Sequence, residues 1–226
     1  MINLSKRLSA IKALVPNGAR ACDVGTDHCY LPIDLILSGK CSYVIGSDIN
    51  QKPLDNAAKN IKKYGVQNID LIKSDGLHNI DCSSIDTIII AGMGGEVISE
   101  IIERDLKIFQ SFEKTIILQP TTSPEILREY LYSKGFDIQT EIPIAENGKI
   151  YSVMRVEYKS YTTTKPFYKY YIGNITPESR EGLQYINKQY NRLNKCCQQI
   201  ENNPKKAEEY KKYKTVCQDI EILLKG

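Results

Sequence analysis

Two short runs constrain this chain more than any others. Thr87-Ile88-Ile89-Ile90-Ala91 and Thr115-Ile116-Ile117-Leu118 are rich in β-branched residues and apolar on both alternating faces. A strand without a polar face has to be covered on both sides, which is the condition of a parallel sheet lying between helices. The remainder of the first 157 residues supplies the other parts. Residues 20–24, 43–48 and 69–73 read as further strands, and residues 31–37, 53–64, 96–109 and 124–134 carry helical spacing or helix-start signals. Pro53 and Pro124 fit a first helical turn, where a missing N–H costs nothing. Strands alternating with helices specify a doubly wound α/β domain.

The end of that domain departs from the alternation. The runs 136–142 and 150–158 flank Asn147-Gly148, a signal for a tight hairpin. The expectation is a mostly parallel sheet with an antiparallel hairpin at its end, the ending found in class I methyltransferase-type sheets and unusual among nicotinamide dehydrogenases. Residues 1–158 form this domain, residues 159–175 a linker rich in Tyr, Thr and Lys, and residues 176–226 a second unit. Thr176 as N-cap and Pro177 at the first position start a helix there. Its stripe is Leu183, Ile186, Tyr190, Leu193, Cys197 and Ile200. Asn202-Asn203-Pro204 breaks it, and Tyr210, Tyr213, Cys217, Ile220 and Leu224 repeat the spacing, so the unit reads as an antiparallel, coiled-coil-like helical hairpin.

Charge separates the two parts. Residues 1–157 carry 17 Lys/Arg against 20 Asp/Glu, and residues 158–226 carry 13 against 7. A basic appendage on a mildly acidic domain suggests an anionic partner, the alternative being a solvated helical face. No stretch approaches the ~18–20 apolar residues of a membrane span, and the N-terminus has neither a long apolar run nor a small-residue cleavage site. Seven cysteines without a CxxC pair read as free thiols of a cytoplasmic protein, and two histidines supply a metal site poorly. No metal, no membrane and a monomer are expected.

In a doubly wound sheet, ligands bind beyond the carboxyl ends of the strands, near the point where strand order reverses. Those ends read Asp23-Val24-Gly25-Thr26-Asp27-His28, Asp48-Ile49, Asp75-Gly76-Leu77, Ala91-Gly92-Met93-Gly94-Gly95 and Gln119-Pro120-Thr121. Gly25 permits a close ligand approach. Asp48, 25 residues after Asp23, suits the two hydroxyls of a ribose. Asp75 is placed to accept from an adenine amino group, and Gly92, Gly94 and Gly95 are expected to leave the cleft floor open. A pyrophosphate needs a G-x-G-x-x-G turn running into a helix. Here Asp27 stands where a second glycine belongs, and an acid there repels pyrophosphate while tolerating a cationic sulfonium and an amino-acid tail. S-adenosylmethionine is therefore the expected cofactor.

Leu4-Ser5-Lys6-Arg7-Leu8, the string Asp23-Val24-Gly25-Thr26-Asp27-His28-Cys29-Tyr30-Leu31-Pro32, Asp75-Gly76-Leu77, Ile90-Ala91-Gly92-Met93-Gly94-Gly95 and Leu118-Gln119-Pro120 together resemble the bacterial tRNA (adenine-22 N1)-methyltransferase family, over essentially the whole chain. The resemblance implies methyl transfer from S-adenosylmethionine to N1 of adenine 22 of tRNA. Two departures are visible: Ser47-Asp48-Ile49-Asn50-Gln51-Lys52-Pro53 replaces a Glu and a Gly-Pro pair, and Thr121 stands where Asn is common.

The expected cofactor set is Asp23, Gly25, His28, Asp48, Ile49, Asp75, Gly76, Gly92 and Met93. The expected substrate set is Arg7, Tyr30, Gly94, Gly95, Lys188, Arg192, Lys195 and Lys211. Asp27 is the catalytic candidate, to stabilise the cationic product base or take its proton, against a role in binding the donor's amino group or capping the next helix. Arg7 meets an RNA phosphate or the donor carboxylate, or is a solvated charge. His28 has a structural reading beside its cofactor one, and Tyr30 stacks on a base or belongs to the core. Two other functions stay open. One is methylation of another RNA or a small molecule, which a tRNA-dependent assay separates. The other is a non-catalytic RNA-binding role, whose mark would be loss of the strand-end acids.

Overall fold

The computed structural model describes residues 2–111 and 113–225. Among these, one sheet is formed by β1 (Ala19–Val24), β2 (Cys41–Asp48), β3 (Ile69–Lys73), β4 (Thr87–Gly94), β5 (Thr115–Thr122), β6 (Phe136–Glu146) and β7 (Lys149–Tyr158). The helices are α1 (Lys6–Leu14), α2 (Tyr30–Leu37), α3 (Gln51–Tyr64), α4 (Gly95–Arg104), α5 (Leu106–Phe109), α6 (Pro124–Ser133), α7 (Phe167–Ile172), α8 (Arg180–Ile200) and α9 (Ala207–Lys225). The strand order is β3-β2-β1-β4-β5-β7-β6. β3 through β5 pair in parallel, whereas β7 lies antiparallel to both β5 and β6. The chain winds outward from β1 to β3 and returns on the other side at β4, so strand order reverses between β1 and β4. Asn147 and Gly148, both at positive φ, make the β6–β7 turn. The doubly wound sheet with its antiparallel ending is the one the sequence implies.

The apolar strands serve both faces, as their lack of a polar side requires. Ile89 and Ile117 pack on one side with Ile11 of α1, with Val15 just past its end, and with Leu31 and Leu35 of α2. Ile88, Ile90, Ile116 and Leu118 pack on the other with α4 and α6 through Ile98, Ile102, Leu127 and Leu131. No helix of the described residues is long and apolar enough to cross a membrane. All seven cysteines are free thiols.

Four local expectations need correction. The helix expected over 96–109 is two helices, because Asp105 leaves helical geometry at φ −109°, ψ 27° and its carboxylate accepts the Leu77 N–H at 3.1 Å. α8 starts at Arg180 rather than at Thr176-Pro177. Ser179 is the cap, its hydroxyl accepting the Gly182 N–H at 2.9 Å, and the Thr176 carbonyl lies so close to Gly182 that a Cβ there would collide with it. Leu183 is 42% exposed, and Tyr185 and Gln189 take places on the buried face of α8. Residues 159–175 are more than a spacer: they contain α7, and Tyr171, Ile172 and Ile175 pack with Ile186, Leu193, Val216 and Ile220 of the hairpin.

A buried ion pair joins this C-terminal cluster to the sheet. Arg128 of α6 and Glu141 of β6 have fully buried side chains. Arg128 Nε and Nη2 donate to Glu141 Oε1 at 3.1 and 2.6 Å, Nη1 donates to the Tyr170 and Tyr171 carbonyls at 2.7 and 2.9 Å, and Nη2 donates to the Tyr185 hydroxyl at 2.7 Å. All five guanidinium N–H groups are thus used. Glu141 Oε2 accepts the Asn174 N–H at 3.0 Å. Removing one partner leaves a buried charge uncompensated, so Glu141→Ala is expected to cost about 3–5 kcal/mol in urea unfolding. A loss under about 1 kcal/mol would show that the pair does not hold the parts together.

Candidate methyl-donor site

The carboxyl ends of β1 to β4 surround a cavity of about 600 Å³ whose lining includes Gly25, Asp48, Ile49, Asp75, Gly76 and Met93. α4 forms a further wall through Val97, Glu100, Ile101 and Arg104, which its spacing puts on one face. A smaller cavity of about 180 Å³ shares Gly25 with it and is lined by Arg7, Asp23, Asp27, His28, Tyr30, Gly92 and Gln119. Most of the residues singled out from the strand ends are therefore brought to two adjoining recesses at the switch point.

The loop after β1 owes its shape to left-handed backbone. Gly25, Asp27 and Cys29 have φ of 77°, 47° and 60°. The Gly25 and Thr26 N–H groups both donate to the Ser47 carbonyl at 2.8 Å, which ties this loop to the end of β2. At φ 77° Gly25 holds a backbone conformation that other residues rarely adopt, and a Cβ there would press on Met93 Cε at the wall of the larger recess. Asp23 is 6% exposed at the smaller one. Burial pushes its carboxyl up to about 6, against a downward pull from the Thr26 hydroxyl. Asp48 accepts the Asn50 N–H at 2.9 Å, which fixes the carboxylate at the mouth of the larger cavity.

Asp75 is held differently. Arg104 donates to both its oxygens, at 2.5 and 2.9 Å, and this guanidinium keeps the Asp75 carboxyl below the usual carboxylate range. Each oxygen retains a second lone pair, so Asp75 arrives at the cavity ionised and oriented. Arg7 is not a free surface charge. It donates through Nε to Glu146 at 2.6 Å and through Nη1 to Gln119 Oε1 at 2.9 Å, and it lies 5.0 Å from the Tyr151 ring centroid. Although burial works the other way, Arg7 holds the Glu146 carboxyl below its ordinary range. Asp27 is exposed at 69% of its side chain, 3.7 Å from His28 Nε2, and the His28 ring stacks on Tyr30 with centroids 5.6 Å apart. Tyr30 is 40% exposed, which places it at the surface rather than in the core.

The glycines at the end of β4 require a further correction. Gly95 is buried, and a Cβ there would collide with the Ser123 carbonyl; a Cβ on Gly94 would sit 3.0 Å from the Thr122 hydroxyl. They let the start of α4 press against the β5–α6 loop, and so do not leave an open cleft floor. Only Gly92, at φ 80° within a register shift of β4, lines a recess. Lys188 and Arg192 lie elsewhere, at the junction with α8, and Lys195 and Lys211 are exposed on the hairpin. The sequence alone assigns no role to Gln119, Arg104, Glu146 or Tyr151, which the structure places in or beside these recesses. Gln119 was the most accessible of these, since it ends a strand whose neighbours all contribute.

The chain matches the methyltransferase domain family over residues 4–154. It is 36% identical over 157 residues to the tRNA (adenine(22)-N(1))-methyltransferase of Bacillus subtilis strain 168, a stretch that spans 69% of this chain and 66% of that enzyme. A crystal structure of a putative tRNA (m1A22) methyltransferase from Streptococcus pneumoniae superimposes with a TM-score of 0.86 at 30% identity, covering 98% of this chain and 100% of that one. The M. capricolum TrmK structure in complex with S-adenosyl-homocysteine gives 0.81 at 29% identity, with 97% and 99% covered. With the family match, this strand order and these strand-end recesses are those of a methyltransferase of the doubly wound α/β class. The chain belongs to the bacterial tRNA (adenine-22 N1)-methyltransferase family.

Proposed function

We propose that this protein transfers the methyl group of S-adenosylmethionine to N1 of adenine 22 of tRNA, acting as a monomer in the cytoplasm. The observation that carries the reading is the set of strand-end carboxylates Asp23, Asp48 and Asp75 around two recesses joined at Gly25. The groups lining the recesses match those of the donor. Asp48 would accept from the ribose hydroxyls, Ile49 and Met93 would cover the base, and Asp75, oriented by Arg104, would accept from the adenine amino group beside Gly76. Asp23 would take the amino group of the methionine end and His28 its carboxylate, with Gly92 giving access.

S-adenosylmethionine, when bound, supplies an electrophilic methyl group on a sulfonium. Adenine N1 carries its own lone pair and needs no base to become nucleophilic, so alignment supplies most of the acceleration. Tyr30, stacked on His28, offers a flat surface for the adenine. Asp27, exposed beside them, stabilises the cationic product base or accepts its proton. Arg7 holds Gln119 toward the smaller recess. The hairpin, through residues such as Lys195 and Lys211, contributes phosphate contacts that offset the cost of unstacking the adenine.

Incubation of unmodified tRNA with protein and donor, followed by mass mapping, is expected to place one added methyl on adenine 22. Methylation at another base, or none, would overturn the assignment.

Asp23 generates a second expectation. Its raised pKa means that the ligand-free protein loses stability as pH rises through about 6, where a buried carboxylate forms. A cationic amino group stabilises that carboxylate, so donor binding below pH 6 has to expel a proton. Donor affinity is expected to fall toward pH 5, with proton release measurable by calorimetry in buffers of different ionisation enthalpy. Constant affinity from pH 7.5 to 5 would remove Asp23 from contact with the donor's ammonium.

A further inference from the structure

A third cavity lies where the two parts of the molecule meet. It encloses about 240 Å³ between the β5–α6 loop, β7 and α8. Thr121, Ser123 and Glu125 line one side, Tyr151 another, and Lys188 and Arg192 the α8 side. The two cations are one helical turn apart and share a face. Neither swings freely: the Lys188 ammonium donates to the Ile150 carbonyl at 2.9 Å, and Arg192 donates to Gln189 at 3.2 Å and to Glu125 at 2.7 Å. Partial burial pushes the Lys188 ammonium below its ordinary pKa, repulsion from Arg192 and Lys149 lowers it further, and Glu125 alone opposes them. Two cations facing one carboxylate in the recess leave positive charge uncompensated, and Lys149 adds to it from outside, a condition an anion relieves.

The position of the recess identifies the anion. Gln119 lines the smaller donor recess and Pro120, Thr121 and Thr122 line this one, so about 7 Å of strand separates them. Tyr151 bridges the same gap, with Arg7 at 5.0 Å and Lys188 at 5.9 Å from its ring centroid. One nucleotide spans that distance. We propose that the junction cavity is a phosphate subsite, binding the phosphodiester next to the target adenine on Lys188 and Arg192, with Glu125 as the counterion the phosphate displaces. This rests on the reading of the substrate as tRNA and gives it a register: the base enters beside Gln119 while its flanking phosphate is held between sheet and hairpin.

The test uses the full chain, wild type and Lys188→Met/Arg192→Met, with tRNA carrying a single methylphosphonate on either side of adenine 22. The double variant is expected to bind tRNA about tenfold or more weakly at moderate salt, and its plot of log Kd against log salt to be shallower by about 1 to 2. Donor affinity should be unchanged. One flanking methylphosphonate should weaken binding to the wild type and not to the variant. Equal salt slopes, or equal methylphosphonate penalties in both proteins, would overturn the proposal. Should the double variant not fold, Glu125→Gln serves instead: freeing Arg192 is expected to tighten tRNA binding two- to fivefold or so, and weaker binding would overturn the subsite. Wild-type methyl transfer on the same tRNA separates the two levels. Transfer with an indifferent variant sinks only the subsite, and no wild-type binding or transfer sinks the tRNA reading with it.

Discussion

The arrangement of this molecule depends on one guanidinium. Arg128 is fully buried, and burying a lone charge would be prohibitive. The site works because every N–H has an acceptor: Glu141 on β6, two carbonyls of α7 and the Tyr185 hydroxyl on α8. These acceptors belong to the closing hairpin of the sheet, to the segment after it and to the first long helix of the appendage. The network therefore fixes where the basic hairpin sits. It lies beside the carboxyl end of β5, the strand whose Gln119 also lines the smaller recess. Gly173 belongs to the same device, since a Cβ there would collide with the Glu141 carboxylate.

That fixed relation lets two electrostatic characters coexist. The sheet domain presents carboxylates at its strand ends, and they suit a sulfonium, a ribose and an ammonium. The appendage presents lysines and arginines, which suit a polyanion. The two meet at Arg7, Tyr151 and Lys188, where a cation from α1 and a cation from α8 approach the same ring. Arg7 reaches this place because Glu146, at the tip of the sheet hairpin, and Gln119, at the end of β5, both accept from it.

The sequence carried much of this because the governing rules are local or periodic. Strands apolar on both faces require helices on both sides, and strand ends in such a sheet converge on the reversal point, so Asp23, Asp48, Asp75 and Gly25 were legible before any coordinates. What escaped depends on contacts between distant residues. Arg7 and Glu146 are 139 positions apart, and Arg104 and Asp75 are 29 apart. No period announces such pairs. Gly95 was misread for a related reason: the motif Gly92-Met93-Gly94-Gly95 looks like an open floor, but the carbonyl that fills the space at Gly95 belongs to Ser123, on another strand's loop. Leu183 misled because heptad spacing alone cannot choose between adjacent helix faces: Tyr185 bonds Arg128 of the sheet domain, and Gln189 lines the cavity between α8 and the sheet.

The central claim is that donor and RNA occupy separate surfaces that meet at the end of β5. Hydrogen exchange on the full chain tests it most directly. Donor alone should slow exchange in the loops after β1, β2, β3 and β4, around residues 24–29, 48–51, 74–77 and 92–94, and leave α8 and α9 unchanged. Added tRNA should then protect α8 and the β5–α6 loop. Donor-induced protection of the hairpin with none at the strand ends would contradict the account.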